Sequence, residues 1–446
     1  MHASRRQFLR SSVMASGGAA FLAATSTKAA HRREAVHAAD PHDESHFGVA
    51  RRVIFAVSDG MSVGTLTLAD LYDKTVMGSE GTEWVRLLGA PDARNAMCST
   101  HCSDSLVTDS AAASTAWSCG RKVYRGSIGF NDDREPERPI LLRARDAGFR
   151  TGLVTTSSVT DATPAGFIAN VPRRTMEREI AQQILDRAPE VVLGGGRMHF
   201  EAASVDAFRG RFTDTLVGLG EAHDARSEIG VLAEGHMPYV LDRSAEDTGL
   251  EDMTRHAISR LDSAGDGFLM QVEAARVDHA AHRNDAASMV LEQLEFDRTL
   301  RRLVRYTESR DDTLLIITTD HGNANPGLTV YGERGERGLE SLANARRSFD
   351  WIIAELRSRD PGMSKTAVVR EVIEYATGIA LNEDDLARLA GASTPRANLF
   401  GEMDSFTSRL GSLLANHNGI GFVSKNHTAD LVHVSALGAG AGLLRP

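Results

Sequence analysis

The sequence predicts an α/β fold, a three-layer sandwich with a central, mostly parallel sheet, helices on both faces and a helical insertion over 338–420. Three observations carry this. From residue 51 onward, short apolar runs alternate with stretches of helical periodicity, as expected of strands buried on both faces and joined by helices. Several of those runs end in a polar residue able to do chemistry, and the C-terminal edge of a parallel sheet is where such folds bind ligands. The chain has 446 residues, 42% hydrophobic and 25% charged. That balance is globular, and the length allows a large core without disulfide staples.

Residues 1–30 read as an export signal rather than as part of the fold. Ser4-Arg5-Arg6-Gln7-Phe8-Leu9-Arg10 precedes a small-residue apolar run from Ser11 to Thr25 and a small-residue exit near Thr27-Lys28-Ala29. The pattern resembles the twin-arginine type of signal, which would place the mature protein in the periplasm or outside the cell. Residues 31–50 hold His31, His37, His42 and His46 among acidic and small residues and read as a flexible linker rather than a metal scavenger. The folded domain is then 51–446. Its strands are the runs Val53–Val57, Thr151–Thr156, Glu190–Leu193, Phe268–Val272, Thr313–Thr319 and Leu431–Leu437, with helices at Pro139–Ala147 and Ala287–Glu308. In the insertion, Leu339–Arg357, Lys365–Thr377 and Asp384–Leu389 read as amphipathic helices.

Charge and cysteine usage exclude several classes. Acidic residues outnumber basic ones by 60 to 50, a net charge of −10. Nucleic acid is therefore not an expected partner, because such binding rests on neutralising phosphates with Lys and Arg. An anionic ligand would need positive charge from another source. The three cysteines, Cys98, Cys102 and Cys119, cannot all pair with one another and read as structural thiols. Beyond the signal no stretch reaches about 18 apolar residues, so no membrane contact is expected after its removal.

The polar residues at strand ends form a constellation. Asp59, Glu273, Asp320 and His321 each follow or close an apolar run. Asp278 and His282 are one helical turn apart, so both can face one ion, and His427 precedes the last apolar run. Mixed imidazole and carboxylate ligands suit zinc, and all-oxygen sets suit magnesium. Thr108-Asp109-Ser110 opens a run of small, helix-compatible residues. Asp109 or Ser110 could simply cap that helix. Alternatively, Ser110 at the helix N-terminus is a nucleophile for an anionic group, if a metal activates its hydroxyl.

These segments resemble the alkaline phosphatases. Asp59-Gly60-Met61, Thr108-Asp109-Ser110-Ala111-Ala112, Asp161-Ala162-Thr163-Pro164-Ala165 with Arg174, Gln271-Val272-Glu273 with Asp278 and His282, Thr319-Asp320-His321, and Asn426-His427-Thr428 occur in family order. The resemblance implies two zinc ions and one magnesium. Asp59, Asp320 and His321 would hold one zinc, and Asp278, His282 and His427 the other. Thr163 and Glu273 would bind magnesium, with Asp59 bridging to it. Asp161 would orient waters around the magnesium, and His279 stands beside Asp278 where relatives carry Lys, His or Trp. Arg174 would grip two phosphate oxygens with its planar fork, aided by the Asp109 segment. Arg173 is adjacent, and the spacing from Asp161 favours Arg174.

The implied activity is hydrolysis of small-molecule phosphate monoesters through a phosphoserine at Ser110, with a homodimer as the family's usual assembly. The alternatives are a phosphodiesterase of the same superfamily and a non-catalytic periplasmic metal- or phosphate-binding protein. Diesterases of this kind commonly use Thr and lack the arginine. A sulfatase is disfavoured because the Ser110 segment lacks the Cys/Ser-x-Pro-x-Arg setting.

Overall fold

The computed structural model describes residues 50–216, 226–244, 246–263, 267–362, 365–390 and 399–444. The expected export signal and nearly all of the linker lie outside the described residues. Among the described residues thirteen strands follow in chain order. They are β1 (Arg52–Ser58), β2 (Arg94–Ser99), β3 (Arg150–Ser158), β4 (Val191–Gly195), β5 (Arg211–Thr213), β6 (Glu228–Val231) and β7 (Phe268–Ala274), then β8 (Thr313–Thr318), β9 (Gly322–Asn323), β10 (Gly327–Leu328), β11 (Ile420–Gly421), β12 (His427–Thr428) and β13 (Leu431–Gly438).

Nine of them form one sheet in the order β2-β13-β8-β1-β7-β3-β4-β6-β5. All its pairings are parallel except those of β13, which runs antiparallel to both β8 and β2. The central strands consist of buried residues because helices cover both faces. β7 is buried along its whole length, and β3 along all but its first residue.

Register positions the site. Glu273 of β7 lies opposite Val57 of β1 and Thr155 of β3, and Val57 lies opposite Thr318 of β8. Asp59, Glu273 and Asp320 therefore leave the sheet at one level, on neighbouring strands. A slip of one residue would turn Glu273 to the opposite face.

One face is covered by the helix Ala286–Glu308, flanked by Val63–Thr75 and Leu250–Asp262. Met289, Phe296, Leu300 and Leu303 join Ile54, Met270 and Leu315 in its core, and Trp84 packs edge-on against Phe296. The other face carries Ser110–Cys119, Ala162–Ile168 and Glu177–Arg187. There Phe55 of β1 sits between Trp117 and Phe167, with ring centroids 5.0 and 5.4 Å away.

The insertion lies between β8 and β13 and has its own apolar core, including Phe349, Ile352, Val372, Ile373, Leu386 and Leu410. The expected helix Leu339–Arg357 is in fact broken. One helix covers Glu333–Ser341, a short turn of 3-10 helix covers Leu342–Asn344, and a new helix begins at Phe349. Capping causes the break. Ser348 Oγ accepts the Trp351 N–H at 3.1 Å, and the Ser348 N–H is itself held by Asp242 at 3.0 Å. Helices at Leu399–Met403 and Phe406–Asn418 complete the insertion. Among the described residues, no helix is long and apolar enough to cross a membrane.

Candidate active site

Two ligand sets form at the C-terminal edge of the sheet. Asp59, Asp320 and His321 converge, as do Asp278, His282 and His427. In the first set, His321 Nε2 lies 2.9 Å from Asp320 Oδ2 and 3.9 Å from Asp59 Oδ1. In the second, His282 Nε2 is 3.3 Å from Asp278 Oδ2, and His427 Nε2 is 3.7 Å from Asp278 Oδ1. The sets adjoin, with the His321 and His427 rings stacked at 3.5 Å. His427 reaches the site because β12 pairs with β9, directly after His321.

Backbone carbonyls decide which ring nitrogen is available in the second set. His282 Nδ1 lies 2.5 Å from the Lys425 carbonyl, and His427 Nδ1 lies 3.0 Å from the Thr108 carbonyl. A carbonyl only accepts, so both Nδ1 atoms carry the proton and both Nε2 lone pairs face the site, the usual arrangement of metal-ligating histidine.

The carboxylates fit a cation. Asp59, Glu273, Asp278 and Asp320 are all buried. Asp59 Oδ1 and Asp320 Oδ2 have no hydrogen-bond partner among the described residues. Burial first, and then the Asp320, Asp278 and Glu273 carboxylates, push Asp59 well above the usual carboxylate range. Burial likewise pushes Glu273 up to about 8 against the Thr155 hydrogen bond, with Asp161 and Asp320 adding to the rise. Buried charges of one sign are costly without a counter-charge, and divalent cations would supply it. Backbone geometry protects the arrangement at Gly60, where φ is +65° and a Cβ would stand 2.3 Å from Asp278 Oδ1. Only glycine tolerates both conditions.

Ser110 opens the helix Ser110–Cys119, and Asp109 is its cap, accepting the Ala112 N–H at 3.0 Å. The capping role and the candidate nucleophile role therefore fall on different residues. Ser110 Oγ is free of capping and lies 3.2 Å from His321 Nε2. This helix crosses Ala162–Ile168 closely enough that a Cβ on Gly166 would meet Ser114 Oγ at 2.3 Å. The crossing brings Thr163 beside the first set, where Thr163 Oγ1 donates to Asp59 Oδ2 at 3.2 Å.

Arg174 and Arg173 are told apart by orientation. Arg173 is exposed, whereas the Arg174 guanidinium spans Asp161 Oδ1 at 3.0 Å and Asp109 Oδ2 at 3.5 Å. Against burial, those two carboxylates raise its pKa further above the usual arginine value. Its planar fork is held at the mouth of the site beside Ser110's segment.

With the geometry in place, the chain can be compared with known proteins. It matches the alkaline phosphatase family over residues 50–445. The chain belongs to the alkaline phosphatase family. It is 32% identical over 441 residues to a repressible alkaline phosphatase of Saccharomyces cerevisiae, covering 86% of this chain and 75% of the yeast one. It is 27% identical to the alkaline phosphatase of Escherichia coli, covering 73% of this chain and 81% of that one. The Thermus thermophilus alkaline phosphatase structure superposes with a TM-score of 0.81 at 30% identity, covering 90% of both chains.

As an alkaline phosphatase, the protein is a metal-dependent hydrolase of phosphate monoesters, and small-molecule phosphate esters are its substrates. One neighbour of this alkaline phosphatase site was not singled out from sequence. His236 brings a ring nitrogen to within 4.8 Å of ligand atoms on Asp161 and His279. It lies in the loop after β6, between Gly235 and Met237, where no spacing pattern marks it.

Proposed function

We propose that monoester hydrolysis runs through Ser110 as the nucleophile. The observation that carries this reading is the buried Ser110 Oγ at a helix N-terminus, 3.2 Å from His321 of the first ligand set. Ser110 Oγ attacks phosphorus as the bond to the leaving alkoxide breaks, and water then cleaves the serine–phosphorus bond to release inorganic phosphate. Backbone N–H groups of the first helical turn face the phosphoryl oxygens. Arg174 holds two of those oxygens with its fork, and Asp109 and Asp161 fix that fork in place.

Asp59, Asp320 and His321 would hold one zinc ion, Asp278, His282 and His427 the other, and Thr163, Glu273 and Asp59 a magnesium. When bound, such cations lower the pKa of the serine hydroxyl and neutralise the leaving oxygen.

The discriminating experiment compares an aryl phosphate monoester with the corresponding diester on one metal-loaded sample. The monoester is expected to turn over at least about 100-fold faster, because Arg174 would take two unesterified oxygens and the metal-ligand side of the site a third, which a diester lacks. Faster diester cleavage would overturn the reading.

We also infer export by a twin-arginine-type signal, supported by Arg5-Arg6 followed by Phe8-Leu9. Replacing Arg5 and Arg6 by Lys is expected to leave the phosphatase in the cytoplasmic fraction. Unchanged appearance outside the cytoplasm would refute it.

A further inference from the structure

Asp278 and His282 of the second ligand set stand on the helix Arg276–Arg283, whose first and last residues are arginines. Both arginines reach one carboxylate of the insertion. Arg283 Nε donates to Asp350 Oδ1 at 2.7 Å, and Arg276 Nη2 lies 3.7 Å from Asp350 Oδ2. Residues seven apart on a helix return to one face after about two turns. Asp350 therefore spans the ligand helix from end to end, on a side other than the one Asp278 and His282 share.

The two pairs differ in weight. Arg283 is half-exposed, and its pair alone would count for little. The Arg276 side chain is only 8% exposed, and its guanidinium carbon lies 3.6 Å from the centre of the Tyr239 ring. Among the described residues, Asp350 is the one carboxylate in ion-pair range of that buried charge. Stripped of it, the guanidinium has to move toward water, and Asp278 is two residues further along the same turn.

The insertion also supports the segment that brings in His427. Its last helix, Phe406–Asn418, presses on the end of the ligand helix, where a Cβ on Gly411 would meet the Asn284 carbonyl oxygen at 2.6 Å. Just ahead of that helix, Ser405 Oγ accepts from Lys425 Nζ at 3.3 Å, and Glu402 accepts from Asn426 Nδ2. Lys425 is the residue whose carbonyl sets the His282 ring, and Asn426 precedes His427. Among the described residues, no member of either ligand set comes from the insertion, so its influence on them passes through these contacts.

We propose that the insertion is the scaffold of the second ligand set, and that Asp350 is a positioning residue that fixes Asp278 and His282 by clasping their helix through Arg276 and Arg283. The proposal rests on the reading of Asp278, His282 and His427 as metal ligands.

The test follows the metal content of the zinc- and magnesium-loaded enzyme during timed exposure to a chelator. His427→Ala, which lacks one ligand of the second set, identifies the equivalent held there. Asp350→Ala is expected to release that equivalent about 10-fold faster than wild type, while the remaining metal leaves at the wild-type rate. Asp350→Glu restores the charge and is expected to bring release back to within about threefold. Asp350→Asn keeps an acceptor for Arg283 and removes only the charge facing Arg276, so it carries the same expectation should Asp350→Ala fail to fold.

Combining Asp350→Ala with His427→Ala should release the remaining metal no faster than His427→Ala alone. Uniformly faster loss of all metal from Asp350→Ala, or an unchanged rate, would overturn the proposal while leaving the ligands as assigned. Undiminished metal content in His427→Ala would instead remove the ligand reading, and the proposal with it.

Discussion

Ser110→Ala is expected to lower phosphate-monoester turnover by roughly three to five orders of magnitude while leaving fold and metal content intact. The substitution isolates the nucleophile because Asp109, not Ser110, caps the helix through the Ala112 N–H. The hydroxyl's neighbour, His321 Nε2, keeps its 2.9 Å approach to Asp320 when Oγ is removed. The cap survives, so losing the one buried hydroxyl should shift stability by no more than about 1 kcal/mol. Steady-state kinetics, metal analysis and a melting curve on the same sample check the three parts. A variant retaining more than about a tenth of wild-type turnover would exclude a phosphoserine pathway.

Chelating the metals is expected to abolish activity and also to change how stability depends on pH. Without cations, Asp59 and Glu273 sit buried among Asp278 and Asp320. Burial with like charge raises Asp59 well above 3.8 and raises Glu273 from 4.5 to about 8. A carboxyl whose folded pKa is raised contributes stability that is fully present below its unfolded pKa and is lost as pH climbs through the folded value. The metal-free protein should therefore melt roughly 5 °C lower at pH 8.5 than at pH 5. The loaded protein, whose ligands are neutralised by the ions, should not share that slope. Parallel melting curves with and without chelator measure it, and identical slopes would mean that these carboxylates are not the site's uncompensated charge.

Much of the candidate site was legible because its polar residues sit where the sheet's own pattern ends. Asp59, Glu273 and Asp320 close apolar runs, and an apolar run in an α/β chain is a strand whose C-terminal end faces the ligand. Asp278 and His282 were readable from helical spacing. His427 was marked only by its place ahead of the last apolar run and by the resemblance to a family; it enters the site through a two-residue pairing with Asn323. His236 lacked any signal, being a loop histidine whose meaning lies in the Ser158 amide it accepts.

On the fold side, β2, β5 and β6 escaped because none of them is continuously apolar, and β5 and β6 are only three and four residues long. β2 is Arg-Asn-Ala-Met-Cys-Ser and mostly exposed or half-buried. The break in Leu339–Arg357 was hidden for another reason. Its cause is Asp242, about a hundred residues upstream, which braces Ser348.

The antiparallel strand β13 is interior, wedged between β8 and β2, although it is the last strand in the order of synthesis among the described residues. His427 lies just ahead of it and leans on the Thr108 carbonyl, more than three hundred positions earlier. Residues 427–438 therefore supply both the strand that joins β2 to β8 and the last member of the second ligand set. A chain cut before residue 427 is expected to lose an interior strand of the sheet and phosphatase turnover together.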